Sequence, residues 1–99
     1  MSGTTGNRTD SGQVTLHYWA SIRAAAGTDS DVFDIDGAVT LAELLQRAKS
    51  EHADSRRFAD VLSCCSVMVG DRPVTTDDPE TVKVAPGDTV EFLPPFAGG

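Results

Sequence analysis

A chain of 99 residues, 39% of them apolar, is long enough for one small domain with a single core. Its 15 acidic and 8 basic residues give a net charge of −7, which argues against nucleic-acid binding and favours a partner with a positive docking face. No apolar run approaches bilayer-spanning length and no secretory signal is visible near the N-terminus, so a cytoplasmic protein without a membrane partner is expected.

Residues 1–12 are Gly, Ser, Thr, Asn and Asp with a single Arg8, a composition that cannot bury apolar area and reads as a disordered tail. Order is expected from Gln13. Val14, Leu16 and Tyr18 alternate with Thr15, His17 and Trp19, the period of a half-buried strand. The stretch Arg23 to Gly27 reads as a turn or helical turn closed by glycine. A second strand follows over Asp31 to Asp36, with Phe33 and Ile35 on one face, and the two strands suggest an antiparallel hairpin.

Thr40 and Glu43 have capping-box spacing, and Val39 and Leu44 that of a hydrophobic staple. Leu41, Leu44, Leu45 and Ala48 then make one apolar stripe on a helix running to about Glu51. A shorter helix is expected from Ser55 through Leu62, burying Phe58, Val61 and Leu62. Ser66 to Val69 reads as a strand, Gly70-Asp71 as a turn and Pro73-Val74 as a short edge piece. The acidic loop Asp77 to Glu80 reads as solvated surface, not as a metal site, and no metal is expected. Val82 and Val84 pack ahead of Pro86-Gly87, which suit the centre of a type II turn. Thr89 to Leu93 forms the last strand, and Pro94-Pro95 ends sheet pairing. The whole reads as an α+β layer over 13–93: a mixed sheet of four to five strands on one main helix.

Cys64 and Cys65 lack metal-site spacing and a third cysteine to pair with. They read as small residues near a buried strand, since a sulfur-carrying thiol requires exposure and a lowered pKa. The chain closes on Phe96-Ala97-Gly98-Gly99 behind the two prolines. Residues without Cβ atoms enter channels closed to others, which leaves the Gly99 carboxylate unhindered for chemistry performed on it. The competing reading is an ordinary frayed end. Residues 94–99 reach at most about 20 Å when extended, and their prolines stiffen the base.

Three stretches together resemble the MoaD/ThiS family of ubiquitin-like β-grasp sulfur carriers, and within it the small subunits of molybdopterin synthase. They are Leu16-His-Tyr-Trp-Ala-Ser-Ile-Arg-Ala-Ala-Ala-Gly27, the helix start Val39-Thr-Leu-Ala-Glu-Leu-Leu45, and Gly87-Asp-Thr-Val-Glu-Phe-Leu-Pro-Pro-Phe-Ala-Gly-Gly99. Trp19 stands where the family commonly has Phe, and Ala24 where it commonly has an acidic residue.

The resemblance implies a β-grasp fold and a carrier cycle. An E1-like (MoeB-like) adenylyltransferase uses ATP to adenylate Gly99, and a sulfur donor enzyme converts the adenylate to a thiocarboxylate. The tail, Phe96, Ala97 and Gly98 included, then enters the large (MoaE-like) synthase subunit, where sulfur passes to cyclic pyranopterin monophosphate. No cofactor is expected on this chain, which lacks a convincing catalytic constellation of its own. The alternatives are a carrier for thiamine or cysteine biosynthesis, or a ubiquitin-like modifier or interaction module.

Strand parity selects the docking candidates. Trp19 and Leu93 fall on the outward side, where they form an apolar anchor, although Trp19 also fits an ordinary core aromatic. Arg23 either neutralises tail or partner carboxylates or decorates its turn. His17 and His52 are expected as surface residues and not catalysts, and Lys49 and Lys83 as solvated.

Overall fold

The computed structural model describes residues 11–95. Strand β1 (Ser11–Tyr18) leads through helix α1 (Ala20–Ala26) into β2 (Ser30–Asp36), then to the two-residue β3 (Val39–Thr40). Helices α2 (Leu41–Glu51) and α3 (Arg56–Leu62) come next, followed by β4 (Ser66–Val69), β5 (Arg72–Pro73), β6 (Lys83–Val84) and β7 (Thr89–Leu93). Five strands form one mixed sheet in the order β2-β1-β7-β4-β5, and β3 pairs with β6 in a separate ribbon. The central pair β1–β7 is parallel, with Leu16 opposite Val90 and Tyr18 opposite Phe92. Its neighbours are antiparallel: β2 on β1, β4 on β7 and β5 on β4. The last strand thus lies in mid-sheet, and Pro94 and Pro95 follow directly from it.

Each element follows from local chemistry. Thr40 caps α2 by accepting a hydrogen bond from the Glu43 N–H at 3.2 Å, and Ser55 caps α3 through the Phe58 N–H at 3.3 Å. Gly27 ends α1 in the left-handed region, its N–H donating to the Arg23 carbonyl. At the Pro86-Gly87 turn, Gly87 takes φ +95° and Asp88 N–H donates to the Ala85 carbonyl. The inward residues of β1, α1, α2, α3 and β7 merge into one core. Val14, Leu16, Tyr18, Ile22, Leu44, Phe58, Val90 and Phe92 are all fully buried.

The expected α+β layer is the one observed, with differences of detail: α1 begins at Ala20, three residues before the turn expected from Arg23, and β2 at Ser30. Strand β1 begins at Ser11, two positions before Gln13, because Ser11 and Gly12 pair with Asp36 and Ile35. Gly12 also passes so close to the Pro86 turn that an added Cβ would lie 2.9 Å from the proline ring. The short edge strand falls on Arg72–Pro73, one residue before the expected piece. The β3–β6 ribbon was not anticipated, since two residues give no periodic signal and their partners lie far away in the chain.

Candidate functional site

Helices α2 and α3 pack on one face of the sheet, and the other face has no cover within the described residues. The three large apolar side chains that stay exposed are Trp19, Leu93 and Val32. Val32 pairs with Thr15, and Leu93 with Ser66, at outward positions of their strands.

Trp19 is held there by the backbone. Its N–H donates to the Phe92 carbonyl at 3.2 Å, extending the β1–β7 pairing by one residue. Its own carbonyl accepts the N–H groups of Ile22 and Arg23, the first turn of α1. Ala20 makes the reversal at φ +50°, the one non-glycine residue at positive φ among those described. That conformation costs about 1 kcal/mol, sustained by the buried anchor Ile22 behind it. Trp19 therefore sits 44% exposed at the root of the tail, an outward residue and not a core aromatic.

The indole is further fixed by side chains. Its Nε1–H donates to Glu91 Oε1 at 2.6 Å. His17 Nδ1 lies 3.5 Å from the same oxygen, and the His17 and Trp19 rings meet edge to face at 4.5 Å. Leu93 follows at 36% exposure. On the other side of the tail's root, an apolar groove of about 210 Å³ is lined by Ser21, Asp60, Val61, Cys64, Pro94 and Pro95.

Arg23 does not join this cluster. Its Nε pairs with Asp29 Oδ1 at 3.2 Å, with both side chains more than half exposed, a bridge of little stability value. Lys49 and Lys83 are exposed as expected. Gly99, Gly98, Ala97 and Phe96 lie outside the described residues.

His52 is not the surface residue expected. Its side chain is only 11% exposed, and Nε2 lies 2.6 Å from Asp31 Oδ2. Tyr18 donates its hydroxyl to that same oxygen at 2.7 Å. The imidazole also packs on Phe58 at 4.5 Å. Burial, then the hydrogen bond to Asp31 and the charges of Asp31 and Glu51, pushes the Tyr18 phenol far above its usual range, so it remains a neutral donor. The signal was present: His52 lies four residues beyond Ala48 and continues the buried stripe of α2. Cys65 is buried, with its thiol donating to the Val61 carbonyl at 3.3 Å. Burial and the neighbouring Cys64 push that thiol up to about 11, the opposite of an activated sulfur. Cys64 is exposed. Among the described residues, no group of three or more His, Cys, Asp or Glu is arranged to hold a metal, and no helix is long and apolar enough to cross a membrane.

The model of the ThiS family matches residues 16–99. The chain is 26% identical over 87 residues to a Chlamydomonas reinhardtii protein named molybdopterin synthase sulfur carrier subunit, covering 88% of this chain and 99% of that one. The crystal structure of SAMP1 from Haloferax volcanii superposes with a TM-score of 0.71 at 20% identity, covering 89% of this chain and 100% of that one. The complex of subunits 1 and 2 of the molybdopterin-converting factor from Helicobacter pylori superposes with a TM-score of 0.58 at 18% identity, covering 88% of this chain and 99% of the matched chain. The fold is the ubiquitin-like β-grasp.

Proposed function

The chain belongs to the ThiS family, and from that premise we propose that it is the sulfur carrier of a molybdopterin synthase, with Gly99 as the carrying residue. The observation that carries this reading is a family match running through Gly99 itself. The name of the algal relative and the two-subunit assembly of the Helicobacter neighbour support the pathway and a large-subunit partner.

The chemistry divides between this chain and its partners. A carboxylate at neutral pH is a poor electrophile. On an E1-like enzyme the Gly99 carboxylate attacks the α-phosphorus of ATP, and pyrophosphate leaves. Hydrosulfide released by a donor enzyme then attacks the acyl carbon and expels AMP; the new C–S bond replaces the C–O bond to AMP, a proton is lost, and a thiocarboxylate remains. In the large subunit that sulfur passes to cyclic pyranopterin monophosphate, and water returns the acyl carbon to a carboxylate. ATP and the proton-transfer groups belong to the partners. This chain's contribution is positioning. Phe96, Ala97 and Gly98 thread the tail, while Trp19 and Leu93 dock beside its root. Arg23, exposed on α1, is placed to exchange Asp29 for a partner carboxylate.

Reconstitution tests the pathway. The thiocarboxylated chain, mixed with the large subunit and cyclic pyranopterin monophosphate, is expected to yield molybdopterin, and removal of Gly99 to abolish it without unfolding the domain. A thiamine or cysteine carrier fails this assay while still forming the thiocarboxylate. The likeness to SAMP1 favours a second reading, that of a modifier. Isopeptide bonds between Gly99 and target lysines would establish it.

A further inference from the structure

Charge is segregated between the two sides of this molecule. Strands β1, β2, β4 and β7 contain no lysine or arginine; all those of the described residues stand on the three helices, β5 and β6. The carboxylates on the uncovered face are Asp34 and Asp36 of β2 and Glu91 of β7. The first two are answered across the strand pair by neutral donors, Gln13 Nε2 at 3.0 Å and Ser11 Oγ at 2.9 Å.

Glu91 is different. In register it lies between His17 and Met68, at the apolar end of the face beside Trp19 and Leu93. Its two side-chain contacts, from Trp19 Nε1 and His17 Nδ1, both fall on Oε1. Oε2 has no partner among the described residues, and the side chain is 33% exposed. A carboxylate fixed by one oxygen and open at the other, beside the exposed apolar side chains of Trp19 and Leu93, is a preformed receptor for a cation. A partner that covers this end of the face removes water from the pair and strengthens it.

We propose that this end of the face docks a basic protein surface, and that Glu91 Oε2 receives one lysine or arginine from it. The indole of Trp19, held through its Nε1–H by Oε1, forms the adjoining apolar wall. Glu91 is thus both the positioning residue for Trp19 and the residue that selects the partner's charge. The inference rests on the reading of the chain as a molybdopterin synthase carrier, which makes the synthase large subunit the basic partner.

The test is calorimetric titration of the full chain with that large subunit at low and high salt. Glu91→Gln keeps the shape and can still accept the Trp19 hydrogen bond, yet is expected to weaken binding by about 10-fold or more. It should also flatten the salt dependence seen with the wild type. Glu91→Lys is expected to weaken binding further. Asp34→Asn, on the same face but on the edge strand β2 and away from Trp19 and Leu93, should bind within about twofold of wild type, as a distant rim charge does. A merely structural role for Glu91 leaves the salt dependence unchanged in Glu91→Gln. That result, or equal affinity of Glu91→Gln and wild type, overturns the charge-selecting site and spares the carrier reading. A wild type that does not bind the large subunit at all overturns both.

Discussion

On the covered face of the sheet Val14, Leu16, Tyr18, Val90 and Phe92 are fully buried, whereas on the opposite face Trp19, Leu93 and Val32 stay exposed among Thr15, His17 and Glu91. The same strands build both, residue by residue. On the covered face each side chain is fixed by packing against helices, so its identity answers to volume and apolarity. On the open face no helix of the described residues packs, and apolar groups persist beside a hydrogen-bonded carboxylate. Exposed apolar area rimmed by polar groups marks an interaction surface. The strands that fill the core thus also hold the exposed Trp19 and Leu93 beside Pro94 in one rigid frame.

The sharpest way to break this comparison is a pair of substitutions on one strand. Phe92→Ala is expected to cost about 3–5 kcal/mol and leave little folded protein, as read by urea denaturation. Leu93→Ala, one residue on, should change stability by less than about 0.5 kcal/mol while weakening large-subunit binding. Equal destabilisation by the two would show that the faces are not distinct. Next in size is Gly12→Ala, which drives a methyl against the rigid Pro86 ring. About 1–3 kcal/mol of lost stability is expected, again from denaturation midpoints.

Smaller still is Ala20→Gly. Relief of the left-handed strain at Ala20 should stabilise the domain by up to about 1 kcal/mol, and thermal unfolding at constant pH reads it. If the strain serves to present Trp19, the stabilised variant binds its partner no better, and less tightly if the turn loosens.

A separate effect, confined to alkaline conditions, is on pH dependence. Cys65 keeps its proton up to about 11 in the folded domain and loses it near about 8.5 when unfolded. The folded state therefore binds more protons across that interval. The associated stability is complete below the unfolded value and is lost as pH rises through the folded one. The raised Tyr18 phenol acts in the same direction. Cys65→Ala should flatten, not erase, the alkaline fall in stability, measured as denaturation midpoints against pH.

Much of the covered face was legible in the sequence. Alternation in β1 and β7 announced which residues turn inward, Thr40 and Glu43 marked the start of α2, and Pro86-Gly87 marked the turn. These are short-range signals, carried within one turn or one strand. The open face was legible only in part. Parity placed Trp19 and Leu93 outward, but Trp19 and Glu91 are 72 positions apart, and only the parallel pairing of β1 with β7 brings them together. The same holds for the contact of His52 with Asp31 and Tyr18, and for the β3–β6 ribbon. A side chain's period reports which way it points, not what it meets.

The most direct test of the carrier reading is intact mass spectrometry of the protein after incubation with ATP, an E1-like activating enzyme and a sulfide source. Exchange of one oxygen for sulfur, localised to Gly99, is the predicted result. A protein unchanged in mass, with an enzyme active on another carrier, would contradict it.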